Sequence, residues 1–210
     1  LQPGDRVAGY TDDDGKLVYA YIVARNPHKA GHVSLCDHCG QEVFWEPYTG
    51  PVYSMDVHYY LTHDMTRSGQ LTIGSADAAV EKNDIVFDLN GHTLAMEKRA
   101  FLVYSNLSLM DSAGGGKVIS GNGDGSHGGV AMVLGSGTMQ VYGGTLTQAE
   151  AAPTAKYGGL LYITDQATLT ISGGTITGGK NGAVLVRTNT FNLYGGILTG
   201  NTRTSTGGLW

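Results

Sequence analysis

A glycine pair followed by a threonine-containing triplet occurs three times in the second half of the chain, and this repeat limits the folds that the chain can adopt. The copies lie at residues 143–147 (GGTLT), 173–177 (GGTIT) and 195–199 (GGILT), separated by 30 and then 22 residues. Self-similarity with a period of about 20 to 50 residues is typical of solenoids. The chain is therefore expected to stack one structural unit repeatedly.

Each copy follows a segment in which apolar and polar residues alternate: 138–141 (TMQV), 168–171 (TLTI) and 190–193 (TFNL). Successive side chains of a strand point to opposite faces, so Gln140, Thr170 and Asn192 should face solvent. The same alternation predicts the following inward residues: Phe87, Leu89, Leu107, Leu109, Met139, Val141, Leu169, Ile171, Phe191 and Leu193.

A second apolar strand beginning with glycine lies upstream of each copy, at residues 129–133, 159–163 and 182–186. Each repeat then supplies about three short strands joined by glycine-rich corners, where glycine permits a positive φ. Stacked repeats pair each strand with its counterpart in the next, which gives parallel ladders. The sequence predicts an all-β fold in which residues 61–210 form a right-handed parallel β-helix.

Two other repeat architectures fit less well. A helical solenoid has a similar period, but strands flanked by glycine pairs and containing β-branched residues contradict a period of 3.6. A β-propeller needs blades of about 40 residues, and these repeats are shorter.

Residues 1–60 lack the repeat and contain both cysteines and four of the five prolines, so we expect a separate small β-rich segment. Residues 17–23 (LVYAYIV) follow Asp12 to Gly15 and predict a hairpin that turns at Asp14 and Gly15. A calcium loop is the alternative for this acidic cluster, but the later ligands of such a loop are missing.

Four motifs resemble one known family: residues 88–94 (DLNGHTL), 107–111 (LSLMD), 142–146 (YGGTL) and 173–178 (GGTITG). They are similar to the pectate-lyase-like right-handed β-helix regions of large secreted and cell-surface proteins from anaerobic gut bacteria. The resemblance covers about residues 56–210 and is specific for the fold rather than for an activity. It implies a secreted or cell-surface location and further domains in the same polypeptide, with a glycan or a host surface protein as partner.

The charge of the chain argues against nucleic acid as a partner. The net charge is −5, from 18 acidic and 13 basic residues, and no run of lysine or arginine occurs. Nor does the sequence contain an apolar stretch of about 18 residues, so insertion into a membrane is not expected.

Cys36 and Cys39 form a CxxC knuckle followed by Gly40, as in zinc ribbons. His32 and His58 complete a predicted Cys2His2 site for structural zinc, and three further histidines are reserve ligands: His28, His38 and His63. A Cys36–Cys39 disulfide and two free thiols are the alternatives. A thioredoxin-like redox role is disfavoured, since no βαβ pattern surrounds the pair.

Catalysis on a β-helix usually needs clustered acids on one strand face. Asp88 and Asp111 are the best carboxylate pair, although acids beside glycine-rich corners more often bind backbone amides. Residues 128–210 contain only Glu150 and Asp165 as acids. Arg187 and Arg203 are weaker candidates for a base or a substrate clamp.

Tyr142 and Tyr194 directly precede glycine pairs in their repeats, with Ser172 at the equivalent place between them. Both rings should lie on one face and could stack on a sugar, or simply pack on neighbouring side chains at a corner.

These observations favour a non-catalytic module that acts as a rigid scaffold or adhesin-like binding region. The alternative is a carbohydrate-active β-helix, either a polysaccharide lyase or glycoside hydrolase, or a glycan-binding module. Residues 207–209 (GGL) match residues 158–160, which open an earlier repeat. A further repeat is therefore expected to begin there and to be cut short, so that either the full-length protein continues with more repeats or the open edge pairs with another molecule.

Overall fold

The computed structural model describes residues 6–11, 14, 16–24, 33–35, 40–50, 52, 56–77, 79–121, 127–154, 159–187 and 190–202. The regular secondary structure of these described residues consists of β-strands alone. The chain divides into two compact units, Leu1–Pro47 and Tyr48–Trp210.

The first unit contains two antiparallel strand pairs. In the first pair, β1 (Arg6–Thr11) runs against β2 (Leu17–Ala24), and in the second pair β3 (Val33–Leu35) runs against β4 (Glu42–Pro47). The predicted hairpin is thereby confirmed, although Gly15 of its turn lies outside the described residues.

The second unit contains three parallel sheets of short strands. Within this unit, sheet 1 consists of β5 (Val57–Tyr60), β8 (Asp84–Asp88), β11 (Asn106–Met110), β14 (Thr138–Val141), β17 (Thr168–Ile171) and β20 (Thr190–Leu193). Sheet 2 consists of β6 (Met65–Arg67), β9 (Thr93–Met96), β12 (Lys117–Ser120), β15 (Thr145–Gln148), β18 (Thr175–Thr177) and β21 (Ile197–Thr199). Sheet 3 consists of β7 (Leu71–Ile73), β10 (Phe101–Val103), β13 (Ala131–Val133), β16 (Leu161–Ile163) and β19 (Val184–Val186).

Along the chain, successive strands belong to sheets 1, 2 and 3 in turn, and we call one such set of strands with its corners a repeat. Each strand pairs in parallel with the corresponding strand of the next repeat, for example Phe101 with Ala131. This order is compatible with a solenoid and confirms the predicted parallel ladders. Because β5 already belongs to sheet 1, the unit of parallel sheets begins before residue 61, at which the sequence placed the boundary.

The inward faces of the three sheets meet in one apolar core. Eight of the ten predicted inward residues are buried there: Phe87, Leu89, Leu107, Leu109, Met139, Val141, Leu169 and Ile171. The other two lie on β20, where Phe191 is only partly buried and Leu193 is 50% exposed. Leu193 keeps its register with Ile171, but no described strand of sheet 1 stacks on its other side.

Leu89 is buried for a different reason from the one predicted. Leu109 pairs with Phe87 rather than with Leu89, so Leu89 lies beyond the strand, in the corner between sheets 1 and 2. A Cβ added at Gly116 would come within 2.7 Å of the Leu89 Cβ. The side chain of Leu89 therefore packs under the corner of a later repeat.

Aromatic rings fill the core at the start of the second unit. Tyr48 makes edge contacts with Tyr59 and Phe87, with ring centroids 5.6 and 5.0 Å apart. Phe87 continues the contact to Phe101 at 6.1 Å. In later repeats the core consists mainly of aliphatic side chains, so contacts between aromatic rings are concentrated at this end of the core.

Candidate functional site

Asp88 is fully buried at the end of β8 and binds backbone amides at two successive corners. Its Oδ1 atom accepts hydrogen bonds from the amide of Asn90 at 2.8 Å and from that of Ser112 at 3.0 Å. Asn90 belongs to the same corner as Asp88, whereas Ser112 belongs to the next repeat. The carboxylate thus connects two repeats.

Asp111 makes the reciprocal connection. Its Oδ1 atom accepts a hydrogen bond from the amide of Gly91 in the preceding repeat, and its Oδ2 atom accepts one from Gly116 in its own corner, both at 2.8 Å. Asp88 pairs with Met110, so Asp111 lies one residue further along its strand rather than at the equivalent position. These contacts match the structural alternative, in which acids at corners bind backbone amides.

This geometry limits what the two carboxylates can do chemically. A general acid or nucleophile must reach a substrate, and the buried Asp88 carboxylate is surrounded by the corner that it holds together. Asp165 has a similar role, since its Oδ2 accepts a hydrogen bond from the amide of Gly135 at 3.0 Å. Three of the candidate acids are therefore engaged in holding corners.

Tyr142 and Tyr194 occupy equivalent positions, as predicted. Each directly follows the last residue of its strand in sheet 1, as Ser172 does between them, and those last residues pair in register. The backbone amides of all three donate to carbonyls of the preceding repeat. With a strand spacing of about 4.8 Å, the two tyrosines lie roughly 10 Å apart along the sheet.

Both tyrosine rings are accessible. Tyr142 is 38% exposed and Tyr194 is 78% exposed. The Tyr142 hydroxyl donates a hydrogen bond to Gln140 Oε1, which holds that ring against the outer face, and partial burial raises the pKa of Tyr142 above its usual value. The Tyr142 phenol therefore stays neutral at physiological pH, which suits stacking on an uncharged surface.

Most of the predicted zinc ligands, Cys36, Cys39 and His32, lie outside the described residues, as do the reserve ligands His28 and His38. His58 lies within β5, half-buried, and His63 is exposed in the turn after that strand. Among the residues that the structure does describe, no group of three or more His, Cys, Asp or Glu side chains could hold a metal ion.

Arg187 lies in a setting that the sequence analysis missed. It lines a cavity of about 380 Å³ together with His127, Tyr162 and Leu185. The available signal was the apolar middle residue of β16 and of β19, which breaks the apolar–polar alternation seen in sheet 1. Arg203, the other candidate arginine, lies outside the described residues.

Searches against known protein families, curated proteins and solved structures find no match for this chain. In the described portion, no helix is present that is long and apolar enough to span a membrane.

Proposed function

We propose that the second unit is a right-handed parallel β-helix that acts as a rigid, non-catalytic scaffold or adhesin-like binding region. The main support is the set of inward rows, which run through three sheets and share one core. Parallel ladders in which every repeat packs on its neighbours give a stiff, elongated body. We further propose that the chain is a module of a secreted or cell-surface bacterial protein, in line with the motifs that resemble the pectate-lyase-like family.

The state of the corner carboxylates supports a non-catalytic role. Asp88 and Asp111 bind two backbone amides each, and no other pair of acids in the repeats was a comparable catalytic candidate. The expected partner is a glycan or a host surface protein, and further domains of the same polypeptide would adjoin the module.

The proposal that the module is non-catalytic is tested by incubating the full chain with pectins, mucin glycans and host polysaccharides. We expect no release of reducing ends or unsaturated products from any of them. Depolymerisation that disappears in Asp88→Asn or Asp111→Asn, at an unchanged melting temperature, would instead establish a carbohydrate-active enzyme.

A glycan-binding module is the second candidate, favoured by the two exposed rings. Tyr142 and Tyr194 are aligned on one face, with the small Ser172 between them leaving room for a sugar chain. Aromatic rings exposed at the same register suit the apolar faces of successive sugar rings.

This second candidate is tested by glycan-array binding of the Tyr142→Ala and Tyr194→Ala variants. We expect each change to weaken binding by about two- to tenfold, the value of one aromatic contact. Tyr104→Ala is the matched control, because Tyr104 is half-buried in the separate corner between sheets 3 and 1. Equal affinity of all three variants and the parent chain would reject a role for the two rings.

A further inference from the structure

The corner between β8 and β9 contains an asparagine followed by a glycine, a dipeptide that is chemically labile. Such pairs occur at residues 90–91, 122–123 and 181–182, and the structure describes the first and the third. Asn90 and Gly91 have positive φ values of 49° and 77°, and the amide of His92 donates to the carbonyl of Leu89 at 2.8 Å. This is the tight two-residue turn that an Asn–Gly sequence favours.

Deamidation is the reaction to which this dipeptide is prone. The backbone nitrogen of the glycine loses its proton and attacks the side-chain carbonyl carbon of the asparagine, and ammonia leaves as a cyclic succinimide forms. Water then opens the ring to aspartate or to isoaspartate, whose main chain is one carbon atom longer. Glycine has no side chain to hinder the attack. Asn90 and Gly91 are both half-buried, so water has access to the corner.

Both reacting groups at this corner are held by neighbouring repeats. The Gly91 amide donates to Oδ1 of Asp111 at 2.8 Å, and a carboxylate at this place opposes loss of the amide proton. The Asn90 side-chain amide donates to the carbonyl of Leu61 at 2.9 Å, which fixes the direction of its carbonyl carbon. Leu61 belongs to the preceding repeat and Asp111 to the following repeat, so contacts on both sides of the corner oppose the reaction.

The following corner also restricts movement of Gly91. A Cβ added there would lie 3.2 Å from the carbonyl oxygen of Gly114 and 3.4 Å from the Cβ of Ala113. The backbone amide of Asn90 donates to Oδ1 of Asp88 at 2.8 Å, so the main chain before the reacting bond is held as well. The Gly91 nitrogen can therefore approach the Asn90 side chain only when the two corners separate.

The product of the reaction fits this corner poorly. An aspartate at position 90 cannot donate to the Leu61 carbonyl, and its charge lies in the same corner as the carboxyl groups of Asp88 and Asp111. Isoaspartate also lengthens the chain between β8 and β9, although both strands are paired in register with the next repeat. Deamidation at this position should therefore weaken the contact between repeats.

We propose that Asn90 is a site of slow deamidation that damages the stack of repeats, and that the hydrogen bond from Gly91 to Asp111 suppresses this reaction. Asp111 thus has a protective role in addition to joining two corners, and separation of the corners limits the rate. The inference goes beyond the scaffold function and does not depend on it, because it concerns the covalent durability of the chain and needs no ligand or partner.

The test is prolonged incubation of the full chain at neutral pH, followed by peptide mapping with mass spectrometry, which detects deamidation and distinguishes aspartate from isoaspartate. The same chain in urea gives the rate without tertiary contacts. We expect Asn90 to react at least about tenfold more slowly in the folded chain, since one hydrogen bond to a charged group is worth about this factor. Equal rates in the two states overturn the proposal.

Variants of Asp111 show whether this residue is responsible. Asp111→Ala should raise the rate at Asn90 by about tenfold and leave the rate at Asn181 unchanged, because the Gly182 amide donates to the Thr202 carbonyl instead. Asp111→Asn keeps an oxygen that can accept from Gly91 but loses the charge, so it should raise the rate by a smaller factor. This variant decides the question if Asp111→Ala does not fold.

Asp165→Ala is the matched control, since Asp165 accepts a hydrogen bond from the Gly135 amide in another corner at 3.0 Å. A rate at Asn90 that is the same in the Asp111 and Asp165 variants rejects the protective role. Asn90→Asp reproduces the product and should lower the midpoint of urea unfolding more than Asn192→Asp, whose side chain lies on the outer face of sheet 1. Equal midpoints of these two variants would show that the corner tolerates deamidation and contradict damage at this site.

Discussion

At the residue scale, the two glycines of each corner have different roles. The second glycine has a positive φ in each copy: 81° at Gly144, 79° at Gly174 and 88° at Gly196. The first lies against the preceding repeat, and a Cβ at Gly173 would come within 2.2 Å of the Tyr142 carbonyl oxygen. The pair is needed because one position requires an unusual backbone conformation and the other requires space.

We expect Gly173→Ala to lower the free energy of unfolding by about 1 to 3 kcal/mol, the range for overpacking against a backbone that cannot move away. Gly69→Ala is the matched control, since a Cβ there meets nothing within 4 Å and its φ is not positive. Urea unfolding of both variants measures the difference. Equal stability of the two would show that neighbouring repeats can separate at little cost.

Tyr48 is a residue whose ionisation should affect stability. Burial raises its pKa from 10.0 to about 12, and the nearby Arg67 opposes part of this rise. Between these two values the unfolded chain loses the phenolic proton while the folded chain keeps it. The associated stability is therefore complete below about pH 10 and is lost as the pH rises towards 12.

We expect Tyr48→Phe to make stability less dependent on pH in this alkaline range, as measured by urea unfolding at several pH values. The Tyr48 hydroxyl has no hydrogen-bond partner among the described residues, so the substitution should cost little stability at neutral pH. Tyr194→Phe serves as the control because that ring is 78% exposed. An identical alkaline profile for both variants would contradict a role for Tyr48.

At the element scale, position in the stack decides the burial of residues that share one row. Ile171 and Leu193 are paired in neighbouring strands, yet Ile171 is fully buried and Leu193 is half exposed. Ile171 has a strand of sheet 1 on both sides, whereas β20 is the last described strand of that sheet.

Ile171→Asp should therefore lower the free energy of unfolding by about 3 to 5 kcal/mol, the cost of an uncompensated buried charge. Leu193→Asp should have a much smaller effect, since its carboxylate can reach water. Thermal and urea unfolding monitored by circular dichroism compare the two. A normally melting Ile171→Asp protein would show that the assigned register is wrong.

At the scale of the whole molecule, the two units should differ in their response to chelators. Three of the four predicted zinc ligands, Cys36, Cys39 and His32, belong to the first unit, so a bound metal would contribute directly to folding of that unit. Chelation should then lower the melting temperature of that unit more than that of the parallel sheets, which supply only the predicted ligand His58.

Elemental analysis of protein purified without chelators should find about one zinc ion per chain, as one closed tetrahedral site requires. Cys36→Ser should remove the metal and reproduce the effect of the chelator. Metal-free protein with a Cys36–Cys39 disulfide seen by mass spectrometry would exclude the zinc site.

The sequence alone determined the features that depend on neighbouring residues. The alternation of polar and apolar residues predicted the inward rows of sheet 1, and the glycine pairs predicted the corners. The apolar segments that begin with glycine predicted strands of sheet 3. These are local properties, because a side-chain period of two and a positive φ are encoded within a few residues.

Tertiary structure alone decided the contacts between repeats, which join residues about 20 to 35 positions apart. Because the corners differ in length, Leu89 lies beyond its strand rather than within it, Asp111 reaches the Gly91 amide, and His127 packs on Tyr162. Such contacts depend on the summed length of every strand and corner in a repeat. A local sequence pattern does not contain this summed length, so the contacts of these residues could be identified only from the stacked repeats.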